Sequence, residues 1–185
     1  NPISILETGC LRKFNNFAGD GQSTLIFDKY TQYRGSGSKI FSVDISKENV
    51  NLCKKIVSKD VYLENDDSIR FISNFYKKLN KNEKLSMLYL DSFDVNWDYP
   101  FESSAHHLKE LTAAVPYIDN KTLIVVDDAP INLLGYRDEN NNLKLIKETN
   151  IGGKGYLVHE YAKAIGAKIY FSHYQVGYTN LIKDN

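Results

Sequence analysis

The chain has 185 residues, and its 23 Lys and Arg are balanced by 23 Asp and Glu, giving a formal net charge of zero at neutral pH. That length suits one domain with a full core. The charge balance sets up no overall field toward nucleic acid or a membrane surface, and no apolar run approaches the ~20 residues needed to cross a bilayer. Cys10 and Cys53 fit no metal-ligand spacing, and two thiols in a domain of this size point to a reducing, cytoplasmic setting. The start, Asn1-Pro2-Ile3, has no basic segment followed by an apolar stretch, so no secretory signal is expected, and the missing Met suits a domain excised from a longer protein.

In chain order, short apolar strands alternate with helix-like segments, the pattern of a parallel α/β sheet. A first strand is predicted over residues 3–7, a helix over 22–33 ending at Gly35-Ser36-Gly37, and a second strand over 39–44. Ser46 suits the N-cap of a helix reaching residue 56, a short strand follows over 61–63, and Asp67 or Ser68 suits the N-cap of a helix reaching about residue 79. Residues 85–91 are apolar on both faces, as a central parallel strand is. An irregular aromatic segment over 93–101 precedes a helix over 104–115, and residues 122–127 form a fifth central strand. Residues 130–150 read as a β-hairpin with Asp138-Glu139-Asn140-Asn141-Asn142 at its tip. A last helix over 154–165 stops at Gly166, and strands over 168–172 and 175–182, joined by His173-Tyr174, must pair antiparallel.

The first of these segments carry the clearest chemistry. A buried strand ending in Glu7-Thr8-Gly9 runs into a loop with Gly19-Asp20-Gly21-Gln22-Ser23, a helix follows, and the second strand closes on Asp44. Such an arrangement builds a nucleoside site: the turn admits a ligand to the backbone, the helix start offers unpaired N–H groups to an anion, and the acid accepts ribose hydroxyls. The compact G-x-G-x-x-G of nicotinamide enzymes is absent. Glu7-Thr8-Gly9 followed by a second acid resembles the class I S-adenosylmethionine-dependent methyltransferases, and the closing antiparallel pair resembles the way their sheets finish. The resemblance implies a Rossmann-like three-layer sandwich with a mostly parallel seven-stranded sheet. It also implies roles: Glu7 and Gly9 beside the methionine amine, Gly21 and Ser23 at its carboxylate, Asp44 on the ribose, and Asp67 and Ser68 near the adenine.

Asp91 ends the fourth predicted strand and Asp127-Asp128 the fifth. Groups at the carboxyl ends of adjacent central strands converge on one cleft, where three carboxylates repel one another unless protonated or bridged by a cation. The placement resembles the metal-dependent O-methyltransferases of the catechol and macrolide-sugar type. In that resemblance Asp91, Asp127 and Asp128 hold Mg²⁺ or Mn²⁺, which acidifies an acceptor hydroxyl. Asp91, Asp94, His106 and His107 are candidate catalytic groups, with the two histidines expected near the start of their helix. Phe93, Trp97, Tyr99 and Phe101 are candidate stacking surfaces, so the acceptor pocket is expected between residues 93–101 and 130–150. Leu-Asp-Ser-Phe-Asp, His-His-Leu-Lys-Glu-Leu and Gly-Lys-Gly resemble segments of methyltransferases found among glycan-modifying proteins.

The expectation is a single S-adenosylmethionine-binding domain over residues 1–185 that methylates a hydroxyl of a sugar, glycan or other small molecule with divalent-metal assistance. Neither nucleic acid nor membrane is an expected partner. The alternatives are a metal-independent methyltransferase acting on a small metabolite or a nitrogen, a cofactor-binding module without catalysis, and a nicotinamide enzyme.

Overall fold

The computed structural model describes residues 2–18, 22–80 and 83–182. Its central strands are the Ile-, Leu- and Val-rich runs β1 (Ser4–Thr8), β2 (Lys39–Asp44), β4 (Met87–Leu90) and β5 (Leu123–Val126), with β3 (Val61–Asn65) at one edge. β8 (Lys168–Ser172) and β9 (Val176–Thr179) complete a seven-stranded sheet of order β3-β2-β1-β4-β5-β9-β8. The first five strands pair in parallel, whereas β9 runs antiparallel to both β5 and β8. β6 (Ile131–Arg137) and β7 (Leu143–Ile151) form the expected hairpin as a separate antiparallel pair.

Side chains alternate across the sheet with period two, and that alternation divides the chemistry from the core. Leu6, Phe41, Leu88 and Ile124 stand in register and pack into the larger core with Phe71, Leu111 and Val158. These last three come from α3 (Ser68–Ser73), α4 (Phe101–Ala114) and α5 (Tyr156–Ile165). The next row, Ser42, Glu7, Tyr89 and Val125, is also in register and projects to the other face. That face carries α1 (Ser23–Arg34), α2 (Lys47–Cys53) and a smaller core of Cys10, Leu11, Val50 and Cys53.

The caps are local. Ser46 accepts a hydrogen bond from the Asn49 amide at the start of α2, and Asp67 does the same for Arg70 in α3. Three helices differ from expectation, α2 by stopping at Cys53 rather than residue 56. α3 is short and continues as a 3₁₀ turn, Phe75–Lys77, which brings Phe75 into the core against Phe41 and Tyr117. α4 begins at Phe101, directly after Pro100 and three residues before the expected start at Ser104. The Ser103 hydroxyl donates to the Pro100 carbonyl, and the Ser104 hydroxyl accepts the Leu157 amide at the start of α5. Among the described residues no helix is long and apolar enough to cross a membrane, and both cysteines are buried free thiols.

Candidate functional site

The carboxyl ends of β1, β2 and β4 open onto a cleft. Gly9 leaves β1 with φ +81°, a conformation that favours glycine, and a Cβ there would lie 2.7 Å from the Asp91 carbonyl oxygen. This lets the β1 turn lie close against the end of β4. Asp44, at the end of β2, is buried and accepts the Ser46 amide at 2.7 Å, the Cys10 amide at 3.1 Å and the Asn49 side chain at 3.3 Å. Its carboxylate therefore ties the turn after β1 to the cap of α2.

Three cavities follow one another along this edge. The first, about 80 Å³, lies between Ile45 and Phe93, with Asp67, Ser68 and His106 on its wall. The second, about 140 Å³, is bounded by Ser46, Ser23, Arg12 and Asp94 and shares Gly9 and Asp44 with the first. The third and largest, about 560 Å³, shares Arg12, Ser23 and Asp91 with the second and extends over Asp127 and Asp128.

The largest cavity is where expectation and structure part most. All three expected aspartates line it, and Lys154, which is not one of its lining residues, meets two of them from a Gly-Lys-Gly 3₁₀ turn, Gly153–Gly155, ahead of α5. Its Nζ lies 2.5 Å from Asp91 Oδ1 and 2.9 Å from Asp128 Oδ2, and the side chain is only 1% exposed. Burial disfavours the ammonium, yet the two carboxylates outweigh it and hold its pKa above the ordinary lysine value. Asp127 is engaged separately: Tyr89 donates its hydroxyl to Oδ2 at 2.7 Å, and the Asp128 amide donates to Oδ1 at 2.8 Å. The Gln175 side chain donates in turn to Tyr89 Oη at 2.6 Å. Among the described residues no three His, Cys, Asp or Glu side chains are gathered so as to hold a metal. The expected carboxylate triad around Mg²⁺ or Mn²⁺ is thus corrected: as they stand, these side chains do not fit a divalent ion, because a lysine supplies the positive charge between two of them.

Titration follows these contacts. Burial, with Asp127 and Asp128 nearby, pushes Asp91 up to about 7 despite the opposing pull of Lys154. Asp128 is held below its ordinary value because Lys154 outweighs its burial. Tyr174, which donates to Asp128, is pushed up to about 12 by that hydrogen bond.

Glu7 is wholly buried and lines none of these cavities; it lies within the face that carries α1. Thr24 and Ser42 donate their hydroxyls to its Oε2 at 2.7 and 2.6 Å, while Oε1 has no hydrogen-bond partner among the described residues. Burial pushes its carboxyl up to about 7, against the opposing hydroxyls of Ser23, Ser42 and Thr24. Gly21 lies outside the described residues.

The remaining candidates separate. Asp94 sits on the exposed rim in a bidentate pair with Arg12, at 2.9 and 2.8 Å. His106 faces the smallest cavity, with Nε2 at 3.0 Å from Ser68 Oγ and 3.3 Å from Glu110 Oε1. His107 is corrected as a base candidate: because α4 starts at Phe101, it falls in the second turn and points into the interior, donating Nδ1–H to the Ser103 carbonyl at 2.6 Å. Burial holds it below the usual histidine range. Glu110, not singled out from sequence, is the buried counterpart on α4 and accepts from Ser92 at 2.6 Å and Thr8 at 3.3 Å. The segment 93–101, expected on one wall of an acceptor pocket, does not line the largest cavity. The largest cavity is walled by Phe17 and Phe27 and by Tyr174 and Gln175 of the β8–β9 turn, whereas Phe101 lines a separate cavity of about 210 Å³ with Gly153 and Tyr156. The side chains of most hairpin residues lie outside the described set.

Lys154, Tyr89, Tyr174, Gln175 and Arg12 were not among the predicted site residues. A signal existed for two of them: Tyr89 stands two positions before Asp91 on an otherwise aliphatic strand, which puts both on one face, and Lys154 is a lone charge between glycines at a helix start.

No protein-family profile matches the chain, and no curated protein matches it in sequence. Solved structures do match in fold. The MycE methyltransferase from the mycinamycin biosynthetic pathway, in complex with Mg and SAH, aligns at a TM-score of 0.58 and 13% identity, over 97% of this chain and 45% of that one. MycE with Mg, SAH and mycinamycin VI aligns at 0.55 and 12% identity, over 97% and 41%. Human methyltransferase-like protein 13 in complex with SAH aligns at 0.53 and 11% identity, over 100% and 74%. The chain therefore spans less than half the length of MycE. At these identities the likeness speaks to architecture, and the chain has the Rossmann-like, mostly parallel seven-stranded fold of the class I S-adenosylmethionine-dependent methyltransferases.

Proposed function

We propose that the protein transfers a methyl group from S-adenosylmethionine to a hydroxyl oxygen of a small molecule, a sugar or glycan residue fitting best. The observation that carries this reading is the row of three connected cavities, with Asp44 shared by the first two and Asp91 by the last two. The residues fit the cofactor. The slot between Ile45 and Phe93 suits adenine, with Ser68 and Asp67 at its edge. Asp44 already receives two backbone amides, which fix its carboxylate at the wall of the first two cavities, where it would accept vicinal ribose hydroxyls. Ser23 and the Gly9 turn border the middle cavity, where the methionine part belongs, and Glu7 orders this region from below through Thr24 and Ser42.

When bound, the cofactor supplies an electrophilic sulfonium methyl. Asp91 stands between the cofactor cavities and the largest one, and a carboxyl at about 7 is well matched to taking up the acceptor hydroxyl proton near neutral pH. In the transfer the carbon–sulfur bond breaks as the carbon–oxygen bond forms, the hydroxyl proton passes to the Asp91 carboxylate, and a methyl ether and S-adenosylhomocysteine leave. A cavity of about 560 Å³ with Phe17, Phe27 and Tyr89 on its walls and carboxylates on its floor matches a sugar, which has an apolar face and a hydroxyl edge.

The test has two stages. Calorimetric titration with S-adenosylhomocysteine should give saturable one-to-one binding, and no binding overturns the reading. Incubation with labelled methyl donor and a panel of free sugars and glycosides should then yield a methyl ether by mass spectrometry. Label recovered on nitrogen instead would overturn the hydroxyl acceptor.

A further inference from the structure

We infer that Lys154 is the resident cation of the Asp91–Asp128 carboxylate cluster at the wall of the largest cavity, a side-chain ammonium standing where a divalent ion would otherwise bridge the carboxylates, and that the protein binds no Mg²⁺ or Mn²⁺ there. Only the purpose of this cation rests on the methyl-transfer reading; the cation itself does not.

Three observations carry the inference. The ammonium is fully committed: Asp91 Oδ1 and Asp128 Oδ2 are at 2.5 and 2.9 Å, and the Asp91 carbonyl oxygen takes the third direction at 3.4 Å. A divalent ion sharing those oxygens would stand beside a buried like charge, in surroundings where such repulsion is poorly screened. Next, the backbone is shaped to deliver the lysine. Gly153 adopts φ +53° and a Cβ there would run into the Asp128 carbonyl oxygen, while the Lys154 amide donates to that same oxygen at 3.0 Å. Gly155 has no slack either, since a Cβ would meet Ala129 at 2.6 Å and Ile151 at 3.0 Å. The turn therefore holds the ammonium in the carboxylate cluster rather than letting it swing to solvent. Last, Asp127 is satisfied by neutral donors, the Tyr89 hydroxyl and the Asp128 amide, and calls for no cation.

Lys154 is thus a positioning residue. It neutralises the cluster and orients Asp91 at the junction between the middle and largest cavities, and with all its donors in use it transfers no proton.

Manganese EPR on the purified protein tests this directly. The wild type should leave free Mn²⁺ unchanged up to about 1 mM, the weak end of the range in which oxygen sites hold divalent ions. Lys154→Ala, which vacates the ammonium and leaves the carboxylates, should take up one Mn²⁺, and Lys154→Arg, which keeps the charge, should not. A thermal shift in Mn²⁺ but not in Na⁺ should accompany uptake by Lys154→Ala. If the alanine variant does not fold, Lys154→Gln, which keeps a donor to the carboxylates without the charge, reads the same gain. Saturable Mn²⁺ binding by the wild type that Asp128→Asn abolishes would overturn the inference. So would a folded neutral variant that gains none. Because the probe is the ion alone, failure here leaves the S-adenosylhomocysteine titration standing, and failure there leaves this result standing.

Discussion

At the end of the cleft formed by β1 to β3, the Asp44 carboxylate is held by the Ser46 amide two residues on and by Asn49 five residues on, with Cys10 as a distant partner. Asp67 likewise caps its own helix through Arg70. At the end formed by β4 and β5, each carboxylate is met across the chain. Lys154 reaches Asp91 over 63 positions, Tyr89 reaches Asp127 over 38, and Gln175 reaches Tyr89 over 86. The end proposed for the cofactor is thus held largely by local turn and cap chemistry, whereas the end proposed for the acceptor is assembled only when α5 and the β8–β9 turn dock. One consequence is that the first end can keep its form while the second varies, which is how one fold serves different acceptors.

That contrast can be broken by mutation. Lys154→Ala should have the largest effect, destabilising the fold by about 3–5 kcal/mol in chemical denaturation at pH 7, because it leaves carboxylates unpaired against a buried wall. A loss below about 1 kcal/mol, the worth of an exposed pair, would mean that the acceptor end is not held by this contact.

Glu7 lies beneath the first end, bonded to Thr24 and Ser42, and its contribution has a definite sign. Its carboxyl rises from 4.5 to about 7 on folding, so stability is full below about 4.5 and falls as pH rises through about 7. Glu7→Gln should flatten that profile and gain up to about 3 kcal/mol at pH 8, with no gain at pH 4. An identical wild-type and variant profile in pH-resolved melts would assign the effect to another group.

Asp44→Ala should weaken S-adenosylhomocysteine binding by about 1.5–3 kcal/mol while leaving the melting temperature little changed, since hydrogen bonds to a charged acceptor are lost. Unchanged affinity in calorimetry would remove the ribose role. Smallest of all, Tyr174→Phe removes an exposed hydroxyl from Asp128. Acceptor kcat/KM should fall by about 1 kcal/mol in transition-state terms, with cofactor affinity unmoved. Should Tyr174→Phe weaken cofactor binding instead, the two ends are coupled rather than separate.

Legibility in the sequence follows the same division. Strand periodicity, the Ser46 and Asp67 caps, the Gly9 turn and the terminal antiparallel pair depend on residues within a few positions of one another, and all were read correctly. The convergence of Asp91, Asp127 and Asp128 on one cavity was also readable, because strand ends in a parallel sheet share an edge. What neutralises them was not, since spacing alone does not distinguish an ion from an ammonium arriving from residue 154. Of the two histidines at most one was expected to face the cleft, and which one depends on where α4 starts: with the start at Phe101, His106 lines the smallest cavity and His107 turns inward.

By itself, then, the sequence determined the succession of strands and helices, the antiparallel pairing of the last two strands, the acids at the strand ends and the glycine turn after β1, all through local preferences and period-two alternation. Only the tertiary structure decided that Lys154 fills the carboxylate cluster, that His107 turns inward and that Phe17, Phe27 and Tyr174 wall the largest cavity. Each of these depends on contacts between distant segments, and a charge, a ring or a hydroxyl acquires its role from what packing brings beside it.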